Sequence, residues 1–212
     1  MKIIKLKPLS ICGTNSYIVV GEHGNAVLID APDDADYILS EIKSHNFTLK
    51  KILLTHGHFD HIGAVAKLAK ETGCDVMVHE LDLSKLSDIK GNLISHFGLN
   101  KFNEYKGAES FKDGDKISVD ELEFKVIHTP GHTSGSVCFV IEDCMFSGDT
   151  LFARSIGRTD MPDGNTMLMM KSLRKLSELK DNYTIYPGHM SVTTLENEKK
   201  YNPYMRDSFE DY

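Results

Sequence analysis

Between His56 and His61 the chain offers four side chains able to hold a metal ion, in the run His56-Gly57-His58-Phe59-Asp60-His61. Residues two apart in an extended segment project the same way. His56, His58 and Asp60 can therefore converge from one side of a loop at a strand end. His61 then falls where a helix begins, turned away from the first two, and two neighbouring metal centres would use that split. The helix start also favours an ionised Asp60, and Gly57 and Gly63 are expected to let the backbone bend around the cluster. Three more segments carry one donor each: Thr129-Pro130-Gly131-His132, Ser147-Gly148-Asp149 and Tyr186-Pro187-Gly188-His189. In each the donor follows a glycine at a strand end. His132 or His189 alone would read as an ordinary loop residue, but the six-residue cluster with three matching strand ends reads as a metal centre. Imidazole with carboxylate suits zinc, and also iron or manganese. Of the other histidines, His23 and His45 read as exposed, His79 and His96 have no companion motif, and His128 reads as structural.

The elements that would position these donors follow from periodicity. Residues 1–8 alternate lysine with apolar side chains, a strand pattern. Residues 16–20 and 26–30 flank a turn at Gly21–Gly24, which predicts a hairpin. Asp33 and Asp34 can cap a helix with Ile38, Leu39 and Ile42 on one face. Residues 51–54 form a short apolar strand before the histidine cluster. A second helix carries Ile62, Val65, Ala66 and Ala69 and stops at Gly73. Residues 81–112 suggest short helices and irregular structure. Strands return at 116–119, 122–128, 136–141, 144–147 and 183–186, with helices at 167–179 and 194–200. The methionines at 169 and 170 read as core filler rather than as a cofactor site. Strand runs in both halves, each followed by helices, suggest two packed sheets with helices outside.

The 212 residues carry a formal net charge of −7. That argues against nucleic acid or an anionic membrane as partner; the small-molecule substrate is what the metal-ligand set suggests. The length fits one domain over residues 1–212. The start lacks the apolar run of a signal peptide, and no stretch reaches spanning length. Cys12, Cys74, Cys138 and Cys144 form no C-x-x-C pair and read as reduced, in a cytoplasmic protein.

The run His56-x-His58-x-Asp60-His61 resembles the H-x-H-x-D-H motif that defines the metallo-β-lactamase superfamily, and the likeness extends from the first hairpin to Asn202-Pro203-Tyr204. The resemblance implies an α/β fold, a four-layer αββα sandwich with a dinuclear metal site at one edge of the sheets. It implies that one metal takes His56, His58 and His132, that the other takes Asp60, His61 and His189, and that Asp149 bridges them. Within the superfamily the chain is similar to small relatives of glyoxalase II, the hydroxyacylglutathione hydrolase. The matching residues are Thr55–His61, Gly148-Asp149-Thr150-Leu151-Phe152, Ser155-Ile156-Gly157-Arg158-Thr159-Asp160, Thr193-Thr194-Leu195-Glu196 and Asn202-Pro203.

That likeness implies two divalent metal ions, zinc foremost, and hydrolysis of a small thioester of the hydroxyacylglutathione type by a metal-bridging hydroxide. Asp60 would orient the nucleophile and handle its proton. The alternatives are a mono-iron persulfide dioxygenase, which resembles the chain at Gly157–Asp160, and a non-catalytic metal-binding protein. Arg158 and Arg154 are the candidates for holding a substrate carboxylate. Asp160 is the candidate for orienting a ligand histidine. A structural ion pair of Arg158 with Asp160 is the competing reading. The chain departs from its relatives in two places. Glyoxalase II has a C-terminal helical domain that helps to bind glutathione, and this sequence ends after the catalytic fold. The relatives also read G-H-G-P where this chain has Gly188-His189-Met190-Ser191.

Overall fold

The computed structural model describes residues 1–10, 12–99 and 102–206. Its layers follow from strands that are apolar on both sides, because such strands need cover on both faces. The first sheet contains β1 (Lys2–Lys5), β2 (Tyr17–Val20), β3 (Asn25–Ile29), β4 (Thr48–Leu53), β5 (Asp75–His79) and β6 (Glu109–Phe111), side by side in that order. The first three strands are antiparallel, as the predicted hairpin requires, and β3 to β6 are parallel. The second sheet is built from β7 (Lys116–Val119), β8 (Leu122–His128), β9 (Val137–Ile141) and β10 (Cys144–Gly148). A small hairpin of β11 (Leu151–Phe152) and β12 (Ser155–Ile156) follows, then β13 (Thr184–Pro187) and β14 (Thr193–Thr194). The strand order in this sheet is β14-β13-β10-β9-β8-β7, with β10 and β13 parallel.

Alternate residues of the same strands face different layers. Tyr17, Val19, Val27 and Ile29 meet Phe124, Val126, Phe139 and Phe146 between the sheets. Ile18, Val20, Ala26 and Leu28 point outward, beneath α1 (Ala35–Ser44) and α3 (Val65–Thr72). On the far side Cys138, Val140, Met145 and Ile185 lie under α4 (Thr166–Ser177), α5 (Leu195–Tyr201) and α6 (Pro203–Arg206). The architecture is therefore helix, sheet, sheet, helix, the expected αββα sandwich. Met169 is wholly buried on α4 beside Leu173 and Leu176, the core role expected of it.

The helix starts behave as their caps predict. Asp34 accepts the amide of Tyr37 at 3.1 Å at the start of α1, and Gly73 ends α3 at φ 69°. The second predicted helix is divided, however, into α2 (Phe59–Ile62) and α3. Ala31 inserts its backbone at the break: its amide donates to His61 O at 2.8 Å, and its carbonyl accepts from Ala64 at 2.9 Å. Gly63 is in ordinary helical conformation (φ −58°), and a Cβ there would strike the Pro32 carbonyl. Close approach of the loop after β3, rather than a bend, is what this glycine permits. Strand β5 was not predicted. The 81–112 stretch holds a 3-10 helix (Glu80–Leu86), turns and β6, and its residues 100 and 101 lie outside the described residues. No helix among the described residues is long and apolar enough to cross a membrane, and all four cysteines are free, with Cys12 exposed.

Candidate metal centre

The donors lie just beyond the C-terminal ends of strands from both sheets. β4 leads into Thr55-His56-Gly57-His58, and α2 carries Asp60 and His61. β8 leads to His132, β10 to Asp149 and β13 to His189. The two sheets are joined at this edge by a hydrogen bond from Val137 N to Thr55 O of 2.9 Å.

Every predicted donor is brought together. The ligand-type atoms of His56, His58 and His132 lie within 4.8 Å of one another, as do those of His56, His61 and Asp149, and those of Asp60, His61 and His189. His58 Nδ1 is 2.9 Å from His132 Nε2. Asp149 touches both halves: Oδ2 is 3.5 Å from His132 Nε2 and 3.4 Å from His189 Nε2, while Oδ1 is 3.4 Å from His61 Nε2. Asp60 Oδ2 lies 3.4 Å from His189 Nε2 and 3.7 Å from His61 Nε2, and accepts the Thr14 hydroxyl at 2.9 Å.

The hydrogen bonds behind the rings decide which nitrogen faces inward. His61 Nδ1 donates to Asp30 Oδ2 at 2.8 Å, and His132 Nδ1 donates to the Arg158 carbonyl at 2.7 Å. Thr55 gives its hydroxyl proton to Asp30 Oδ2 at 2.8 Å, which leaves its oxygen to accept from His56 Nδ1 at 3.2 Å. Each of these rings therefore turns an Nε2 lone pair toward the cluster. His56 Nε2, His58 Nε2, His61 Nε2 and Asp149 Oδ1 are buried with no hydrogen-bond partner. Unpaired buried acceptors are costly, and a shared cation is the group that satisfies several lone pairs at once.

The electrostatics agree with that fit. Burial, reinforced by the neighbouring imidazoles, pushes His56 and His58 well below the usual histidine range and keeps them neutral. Burial alone would raise the carboxyls, but His61 and His189 outweigh it. They hold Asp60 at about 2 and Asp149 well below its ordinary range. Burial opposes charge on His61 and His189 too, yet Asp30, Asp60 and Asp149 raise His61, and hydrogen bonds to Asp149 and Asp60 raise His189 to about 9. The second half thus demands positive charge, which protons or metal ions can supply. The residues present fit two neighbouring divalent ions.

The predicted residues around the cluster fare differently. Arg158 and Asp160 form a bidentate ion pair, with both bonds at 2.9 Å and both side chains exposed. The carboxylate that orients a cluster histidine is Asp30, so the role expected of Asp160 belongs to another residue. What Arg158 contributes to His132 is its main-chain carbonyl. Arg154 stacks its guanidinium 5.3 Å over the Tyr201 ring, on α5. Gly57 does not adopt positive φ; a Cβ there would meet Lys85 Cβ at 2.7 Å. His128 donates to Ser134 O at 2.8 Å and stacks on His79 at 4.2 Å, a structural pair invisible in the sequence.

Several contributors went unpredicted. Asp30 accepts Thr55 N, Thr55 Oγ1 and His61 Nδ1; its signal was an aspartate closing a wholly apolar strand. Asn15 Nδ2 donates to Pro187 O and Met190 O, and Tyr17 Oη donates to Pro187 O at 2.7 Å, so the start of β2 clamps the His189 loop. Met190, where relatives were expected to have glycine, adopts φ 67° and is 55 % exposed.

The model of the metallo-beta-lactamase superfamily matches residues 9–189. The chain belongs to this superfamily. As a metallo-beta-lactamase superfamily protein it is 32% identical over 206 residues to hydroxyacylglutathione hydrolase GloC of Haemophilus influenzae, covering 95% of this chain and 97% of that protein. Among solved structures, BLEG-1 B3 metallo-beta-lactamase superposes with a TM-score of 0.91 at 32% identity, over 97% of this chain and all of the other. TTHA1623, solved in a di-iron-bound form, gives 0.84 at 33% identity, over 95% and 99% of the two chains.

Proposed function

We propose that this superfamily member is a metal-dependent thioesterase of the hydroxyacylglutathione hydrolase type, with His56, His58 and His132 holding one ion, Asp60, His61 and His189 the other, and Asp149 between them. The observation that carries the reading is that His56 Nε2, His61 Nε2 and Asp149 Oδ1 are buried without hydrogen-bond partners, on residues whose ligand-type atoms lie within 4.8 Å of one another. Bound divalent ions would supply Lewis acidity and lower the pKa of a water. The chain's own part is then specific. Asp60, held ionised and fixed by the Thr14 hydroxyl, accepts and carries the proton of the attacking water at its carboxylate. Asp30 and the Arg158 carbonyl keep protons on the outer nitrogens of His61 and His132, so the inner ones stay basic. A thiol leaving group with a pKa of about 8.5 departs with little acid assistance, so a thioester suits a site whose acid–base groups are engaged in holding ions. The full-length match to a relative named hydroxyacylglutathione hydrolase supports this substrate class. The metal identity we propose is zinc, with iron the alternative that the di-iron form of TTHA1623 brings forward.

The test is elemental analysis joined to a substrate panel: S-lactoylglutathione, an uncharged thioester, a chromogenic β-lactam and glutathione persulfide with oxygen uptake. The expected result is about two ions per chain and thioester turnover that chelation abolishes and metal restores. One iron per chain with oxygen uptake would replace the reading by a dioxygenase, preferred β-lactam turnover by a lactamase, and metal without turnover by a binding protein.

A further inference from the structure

Asp82 lies on the 3-10 turn after β5, wholly buried, and belongs to none of the donor clusters. A buried carboxylate costs several kcal/mol unless it is fully hydrogen-bonded, and this one is saturated. Oδ2 accepts Gly57 N at 2.8 Å and Thr133 Oγ1 at 2.8 Å. Oδ1 accepts Gly135 N at 3.0 Å and the ammonium of Lys85. Lys85 in turn donates to Asp163 Oδ2 at 2.7 Å, and that oxygen accepts Ser134 N at 2.9 Å. The backbones tied in this way are particular ones. Gly57 stands between His56 and His58, and Thr133 directly follows His132. Contact is direct at both loops: a Cβ at Gly135 would meet Asp82 Oδ1 at 2.6 Å, as one at Gly57 would meet Lys85.

We infer that Asp82 is a positioning residue for the first ion, locking the His56–His58 loop of one sheet to the His132 loop of the other so that their three imidazoles converge. The inference rests on the proposed metal function and deepens it. Outer groups that orient metal ligands typically contribute 10–100-fold to affinity, and here the orientation is applied through backbone rather than through a ring nitrogen. An amide cannot replace the carboxylate. Each oxygen of Asp82 faces two donors, so an asparagine must turn its NH2 against one such pair.

The experiment titrates the full chain, stripped of metal, with Co2+. The d–d absorption and chelator competition follow each binding step. Asp82→Asn is expected to weaken one step by roughly 10–100-fold and to change its spectrum, leaving the other step as in wild type. Thr133→Val removes one of the four bonds to Asp82, along with a local contact to Ser136 Oγ, at constant shape and should weaken the same step less; it carries the test if Asp82→Asn does not fold. Glu198→Gln is the stability control. Glu198 is an equally buried carboxylate that holds Arg154 N, Thr193 Oγ1 and Asn202 Nδ2 around α5. This variant should lower the melting temperature and leave both steps unchanged. Wild-type affinity in both Asp82→Asn and Thr133→Val, or an equal loss in Glu198→Gln, overturns the inference alone. A wild-type chain that binds no Co2+ overturns the proposed function and this inference with it.

Discussion

Replacing Asp30 by asparagine changes one atom of a side chain that belongs to none of the donor clusters, yet it should damage the centre. Oδ1 of Asp30 accepts Thr55 N, and Oδ2 accepts both Thr55 Oγ1 and His61 Nδ1, each at 2.8 Å. Asparagine offers one acceptor and one donor in their place. If its oxygen meets Thr55 N, its NH2 faces His61 Nδ1, and the imidazole proton must move to Nε2, the atom that faces the cluster. If it is flipped, the NH2 opposes the Thr55 amide. One buried donor is left unsatisfied either way, at a cost of about 1–3 kcal/mol. In a chain of this length that is roughly 2–12 °C in Tm. The ion served by His61 should bind about 10–100-fold more weakly. Calorimetric titration of metal-free protein with Zn2+, beside thermal melts of the same preparation, measures both quantities. A variant that melts lower but binds both ions with unchanged affinity would refute the tautomer argument and leave Asp30 a purely structural residue.

Three further outcomes are expected. In metal-free protein His189 is raised to about 9 from 6.5, so its contribution to stability is complete below pH 6.5 and lost as pH rises through 9; Asp60, lowered to about 2 from 3.8, contributes above 3.8 and loses its effect as pH falls through 2. Melts of chelated protein should therefore decline between pH 6.5 and 9, and a flat profile there would contradict the charge assignment. Met190→Gly should raise Tm by about 1–4 °C, because relief of a left-handed backbone at φ 67° exceeds the entropic cost of glycine and little buried surface is lost; a lower Tm would show that the methionine side chain stabilises the loop. Arg158→Ala should keep full metal content, since a main-chain carbonyl holds His132, and should raise KM for S-lactoylglutathione with kcat little changed; equal effects on an uncharged thioester would show that Arg158 does not read the substrate.

Much of this molecule could be read from the chain because its signals are local. Two-sided apolar strands, the Asp34 cap and the Gly73 stop each act within a few residues, and the seven cluster donors stand in short motifs at strand ends. What escaped the sequence is non-local. Strand β5 borders helix α3 in sequence and earns its identity from pairing with β4. The break between α2 and α3 is imposed by Ala31, some thirty residues earlier. Asp160 stands in the run Gly157-Arg158-Thr159-Asp160, whose spacing says nothing of which side chains meet in space, whereas Asp30 reaches His61 because β3 and β4 lie side by side. Polar partners selected by sheet neighbours leave no periodic trace.

The centre is also a property of the packed sheets rather than of either one. His56, His58, Asp60 and His61 follow strands of the first sheet, while His132, Asp149 and His189 follow strands of the second. Ties across the seam are short and buried: Val137 N to Thr55 O, Tyr17 Oη to Pro187 O, and Asp82 between Gly57 and Thr133. Each tie joins a donor-bearing loop of one sheet to the other sheet. A displacement at the seam would separate the donors before it exposed the core, since the lone pairs converge over a few Å while the apolar layer between the sheets is continuous. Ions bound at both positions would hold the seam closed, because a ligand that binds only the assembled state stabilises it. The apolar layer docks the sheets, and ions at the seam would add to that docking.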